Sequence, residues 1–194
     1  MLAGRSLLLP IIALLSACNM VISETPMFAE NDRADVAPKD VVWLANQEDC
    51  DFDASQPEAK WPECAVWVVV RNSTRELLVN DGKDQSQRIN YLIASGTPSI
   101  IQGKWVDEAK EPGAIYYSFY GLEWRQLGPN GFAGASVWPV QCGLQDRPGS
   151  DIRPFSGISA ECRPSSRDAI RSAATVSRAT GEVASWRWLR SEGQ

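Results

Sequence analysis

Ala65-Val66-Trp67-Val68-Val69-Val70 is a continuous β-branched and aromatic run, the pattern of a buried strand. Arg75-Glu76-Leu77-Leu78-Val79 and Arg88-Ile89-Asn90-Tyr91-Leu92-Ile93 follow, with Asn80-Asp81-Gly82 between them as a turn signal. Ser99-Ile100-Ile101, Ala114 to Tyr120, Leu122 to Leu127 and Val137 to Val140 read as further strands, and Gly128-Pro129-Asn130-Gly131 as a turn. Upstream, Val41-Val42-Trp43-Leu44 reads as an edge strand. Short strands at this spacing predict an antiparallel meander, sandwich or small barrel.

The period changes near the end of the chain. Gln145 to Gly157 reads as a loop. Ser165 and Asp168 then match a capping box, and Ala169, Ile170, Ala173, Ala174 and Val176 fall mostly on one helical face. Gly181 is placed as the helix stop, and Val183 to Leu189, with Trp186 and Trp188 on one face, reads as a last strand. The expected fold class is α+β, mainly antiparallel β, with one C-terminal helix followed by a final strand.

Composition narrows the chemistry. The chain of 194 residues has no histidine. That removes Ser-His-Asp and Cys-His nucleophile systems, the usual zinc sites and the commonest acid–base group near neutral pH. Charge is uneven: residues 19–112 carry 17 acids against 9 bases, residues 145–194 carry 6 against 8. No dense basic cluster marks a nucleic-acid surface. The arginine-rich end could meet anionic polymer or headgroups, although a solvated face is the plainer expectation.

Leu15-Ser16-Ala17-Cys18 closes a short apolar run, residues 6–15, that follows Arg5. The run is too short to span a bilayer, which takes roughly 20 apolar residues. Its charged start, apolar middle and small residues describe an export signal. The four residues resemble the lipobox of bacterial lipoproteins: an aliphatic residue, two small ones, then Cys. The resemblance implies a thioether-linked diacylglycerol on Cys18, cleavage before it and acylation (palmitate) of the new amino group. Asn19 at the next position implies the outer membrane, facing the periplasm. The implied partner is membrane lipid, held through Cys18.

Four other cysteines remain: Cys50, Cys64, Cys142 and Cys162. Export to an oxidising compartment favours disulfides. Four cysteines allow three connectivities, and pairing Cys50–Cys64 and Cys142–Cys162 closes short loops between candidate elements. Each loop stabilises by about 3 kcal/mol in the chain-entropy model. The spacing does not suit zinc, so no metal or other cofactor is expected. The expected organisation is a signal peptide over 1–17, a lipidated, flexible acidic tether over 18–40 and one globular domain over 41–194. A flexible tether of that length reaches about 25 Å.

Other motifs carry little. Asp49, Asp51 and Asp53 alternate like the start of a calcium loop, but Ala54 and Lys60 stand where Gly and Glu are required. Gly96 to Lys104 has the wrong glycine spacing for a phosphate loop, and Trp105 replaces its Ser or Thr. Eight tryptophans invite a stacking site. Trp61 and Trp105, in or beside expected turns, are the candidate exposed platforms, and Tyr117 with Trp124 a candidate cleft. No catalytic residue is singled out. The expectation is an anchored, non-enzymatic binding or structural domain of the cell envelope. Its alternatives are a carboxylate-dependent hydrolase of cell-wall glycan, using among Glu108, Glu111 and Glu123, or an accessory subunit meeting envelope proteins.

Overall fold

A computed structural model describes residues 19–34, 41–46, 50, 52–80, 86–107, 113–126, 132–145 and 150–191. Cys18, Asp49, Asp51, Glu108, Glu111, the turns at Asp81-Gly82 and 128–131, residues 35–40 and residues 146–149 lie outside them.

Eight antiparallel strands close into a barrel. They are β2 (Val41–Asn46), β3 (Trp67–Arg71), β4 (Glu76–Asn80), β5 (Ser86–Ala94), β6 (Ser99–Asp107), β7 (Ala114–Gln126), β8 (Phe132–Pro139) and β11 (Ala184–Ser191). The strands from β2 to β8 meander, each pairing with the next, and β8 pairs with the lower half of β7 from Tyr120↔Pro139 to Gln126↔Phe132. The last strand, β11, closes the wall between β8 and β2. The expected edge strand at 41–44 is therefore an interior strand, and closure leaves the barrel no free edge there. A short β1 (Ile22–Ser23) extends the sheet beside β7, and β9 (Gly143–Leu144) pairs with β10 (Arg153–Pro154) as a small ribbon.

Alternation along the strands builds two cores, one on each side of the wall. Inside lie Leu44, Val68, Val70, Tyr91, Ile93, Leu122 and Ala135. Outside, Ala94, Ile100, Phe119, Val140 and Cys142 pack under helix α1 (Arg167–Thr180) through Ala169, Ile170, Ala173 and Ala174. The helix starts one residue later than the sequence predicts: Ser166 is its N-cap, accepting from the Ala169 N–H at 3.1 Å. Val176 is 39 % exposed, and Ser177 takes the buried place, donating to the Ala173 carbonyl at 2.7 Å. Gly181 ends the helix as expected.

The strand expected to break at Gly121 does not. β7 runs unbroken for 13 residues, and the glycine is there because the indole of Trp138 lies on it. A Cβ at Gly121 would come within 2.2 Å of Trp138 Cε2. Trp138 is fully buried and donates from Nε1 to the Ala174 carbonyl at 2.8 Å, tying barrel to helix.

The flexible tether expected over 18–40 is contradicted across residues 19–34, which form a strap on the barrel's outer face. Val21 is 0 % and Phe28 2 % exposed. The buried amide of Gln102 accepts from the Met27 and Phe28 N–H groups at 2.7 and 2.9 Å and donates to the Phe28 carbonyl at 3.1 Å. Farther on, the Ala34 N–H donates to the Ile93 carbonyl at 2.8 Å, and its methyl joins the inner core. The acids of this stretch answer the arginines elsewhere. Arg163 meets Glu24 at 2.8 Å, Arg167 meets Asp32 at 2.7 Å, and Arg75 forks onto Glu30 at 2.6 and 2.8 Å. Arg171 lies 5.2 Å from the Phe28 ring centroid, and Arg178 pairs with Glu123 at 2.6 Å. Two of these pairs, Glu24 with Arg163 and Asp32 with Arg167, tie the strap to the C-terminal part.

Both disulfides pair as the spacing predicts, Cys50–Cys64 with Cα atoms 5.7 Å apart and Cys142–Cys162 at 5.0 Å. The first closes a loop that folds back over the barrel. There the Phe52 and Trp61 rings meet at a tilt with centroids 4.8 Å apart, Trp61 meets Trp67 edge-on at 6.1 Å, and Arg187 lies 4.9 Å from the Phe52 ring centroid.

Candidate ligand cavity

The inward positions of the barrel do not fill it. They enclose a cavity of about 260 Å³, whose walls include Val68, Val70, Leu77, Val79, Ile89, Ile93, Ile101, Leu122 and Val137. Trp105, Trp124, Trp186, Tyr91 and Tyr120 add aromatic side chains to the lining. All eight strands contribute inward-facing apolar side chains, β11 through Trp186, because each strand alternates. Gln87 both lines the cavity and is exposed, so the cavity reaches solvent at the start of β5.

Gly103 creates part of the space. It is buried on β6, facing inward opposite Ser118. A Cβ there would sit 3.4 Å from Trp105 Nε1, 3.5 Å from Ile89 Cγ2 and 3.6 Å from Ser118 Oγ. Two polar groups of the lining are neutral and hydrogen-bonded. Trp105 Nε1 donates to Ser118 Oγ at 2.5 Å, and the Tyr91 hydroxyl donates to Asn72 Oδ1 at 2.8 Å. Burial pushes the Tyr120 phenol above its ordinary pKa; a hydrogen bond with Ser118 works against this, and Tyr116 adds to it. Tyr120 therefore stays an uncharged phenol at neutral pH. Among the described residues no Asp, Glu, Lys or Arg lines the cavity.

Of the candidate stacking residues, the structure brings together Trp105 and Trp124. Trp61 is not among the lining residues: it packs in the first disulfide loop, its Nε1 donating to the Gln56 carbonyl at 3.0 Å. Tyr117 packs in the outer core. The expected cleft of Tyr117 with Trp124 is contradicted by strand parity. The two are seven residues apart on β7, an odd separation, so they face opposite sides of the wall. Tyr91, Tyr120 and Trp186 were missed; the inward set on β7, Ser118, Tyr120, Leu122 and Trp124, is legible once Gly121 is read as continuing the strand.

The other candidates resolve into structure. Glu123 faces outward in its pair with Arg178. Asp53 closes a local turn, and hydrogen bonds from the Ser55 hydroxyl, the Ser55 N–H and the Gln56 side chain hold its carboxyl below the usual pKa. Among the described residues no group of three or more His, Cys, Asp or Glu is placed to hold a metal, and no helix is long and apolar enough to cross a membrane. Comparison with family models, with curated proteins and with solved structures finds no match to this chain.

Proposed function

We propose that this chain is a lipid-anchored lipoprotein of the bacterial envelope, acylated on Cys18, held in the outer membrane and facing the periplasm. Its barrel is a non-enzymatic binding module for a small uncharged apolar ligand, a hydrocarbon chain or compact ring. The cavity carries this reading. An apolar cavity of about 150 Å³ already takes benzene. The 260 Å³ here is larger. Each methylene moved from water onto these walls contributes about 0.8 kcal/mol. The indoles and phenols add aromatic surface, and the neutral lining disfavours a charged ligand head inside.

An apolar interior also distinguishes the barrel from membrane-spanning ones, whose lumen is polar and whose outer band is apolar. Here the outer wall carries the exposed Arg88 and Asn90 on β5, and α1 and the strap cover its apolar part. The glycan-hydrolase alternative gains nothing from Glu123, which is paired with Arg178 on the far side of the wall.

The test is titration of the purified protein with N-phenyl-1-naphthylamine, an uncharged apolar dye, followed by its competition with a medium-chain alcohol. One saturable site with competitive release is expected. Binding that never saturates, or dye that the alcohol does not displace, would overturn the assignment.

A further inference from the structure

We infer that the β9–β10 ribbon is the surface on which the anchored protein rests against the phospholipid bilayer. The inference depends on acylation of Cys18, as proposed above. Asn19, the next residue, is fixed to the folded domain. Its Nδ2 donates to the Gly143 carbonyl at 3.1 Å, its Oδ1 accepts from the Gly143 N–H at 3.2 Å, and its carbonyl accepts from the Cys142 N–H at 2.8 Å. Met20 continues the attachment by bridging to Gln141. Successive Cα atoms lie about 3.8 Å apart, so an anchor on Cys18 begins one peptide link from this point. A reach of about 25 Å, expected from a flexible tether, is replaced by a fixed attachment.

What surrounds that point suits a lipid surface. Asn19 grips Gly143, the first residue of β9, and Leu144 beside it is 39 % exposed. Arg153 stands opposite Leu144 in the register, and Arg153 and Pro154 are both exposed. The ribbon is tight: a Cβ on Gly143 would lie 2.0 Å from the Arg153 carbonyl oxygen. Asn19 and the ribbon are therefore held together as one body. An aliphatic side chain suits the acyl boundary. Among the described residues the other exposed large apolar side chains, Val106, Ile115, Val176 and Trp188, sit on β6, β7, α1 and β11.

The experiment uses the full acylated protein in vesicles of phosphatidylethanolamine and phosphatidylglycerol. A benzophenone amino acid replaces Leu144, Val106, Val176 or Trp188, one at a time, and lipid adducts are counted after illumination. Adducts at position 144 should exceed those at the other three several-fold. A flexible Gly/Ser segment inserted between Cys18 and Asn19 should bring them down to the level of the others. Equal adducts at all four positions, a maximum elsewhere, or no effect of the insertion would overturn the inference. Intact mass reads acylation separately. If Cys18 carries no acyl group the lipoprotein assignment fails, and a maleimide phospholipid coupled to the Cys18 thiol then supplies the anchor for the same orientation test.

Discussion

Replacing Phe28 with Ala measures whether the N-terminal strap is part of the fold. The ring is 2 % exposed and meets Phe119 edge-on, with centroids 6.3 Å apart. The guanidinium carbons of Arg171 and Arg167 lie 5.2 and 5.9 Å from its centroid. Truncating a buried Phe costs about 3–5 kcal/mol, and each cation–π contact at a partly exposed site adds about 0.5–1 kcal/mol. Gln102 holds the strap backbone on both sides of the substitution, so the strap cannot slide inward to fill the gap. A loss of about 4–7 kcal/mol is expected, which for a chain of this size lowers the midpoint by roughly 8–28 °C. Thermal unfolding followed by circular dichroism, with urea melts to convert the shift, checks it. Phe28→Leu should recover part of the loss. An unchanged midpoint in Phe28→Ala would mean that residues 19–34 do not pack as described.

Two further outcomes follow from the wall of the barrel. Gly121→Ala places a methyl into the Trp138 indole, where a Cβ would sit 2.2 Å from Cε2, and should destabilise by about 1–3 kcal/mol in urea unfolding. Tyr120 has its pKa raised in the folded protein, mainly by burial. Its contribution is complete below the unfolded value of about 10 and is lost as pH rises through the folded value, because only the unfolded chain releases that proton in between. Urea melts from neutral to strongly alkaline pH should show a decline in stability above pH ~10 that Tyr120→Phe reduces.

The legible parts of this fold were those decided locally. Most of the run at 65–70 lies in β3, which starts at Trp67, the helix ends at Gly181, and the cysteines pair over short loops because each closes between neighbouring elements. The illegible parts were decided by distant contacts. Val41 to Leu44 looked like an edge because its second neighbour, β11, arrives some 140 residues later in the chain. Residues 19–34 looked like a tether because polarity and proline mask a few buried anchors, Val21 and Phe28 among them, whose partners lie on β6, β7 and α1. Gly121 looked like a break because nothing near it in sequence announces Trp138. The same holds for the cavity. Trp105 and Trp124 could be named, but their shared placement depends on closure of the barrel and on the small residue at Gly103.

The most direct measurement of ligand binding inside the barrel compares the wild-type protein with Gly103→Leu in the dye titration. The added side chain grows from a Cβ at ordinary contact distance, 3.4–3.6 Å from its neighbours, into the cavity. Expected is one saturable site in the wild type and loss of that site in Gly103→Leu, with the variant still folding cooperatively by circular dichroism. Equal dye binding in the two folded proteins would contradict binding in the barrel.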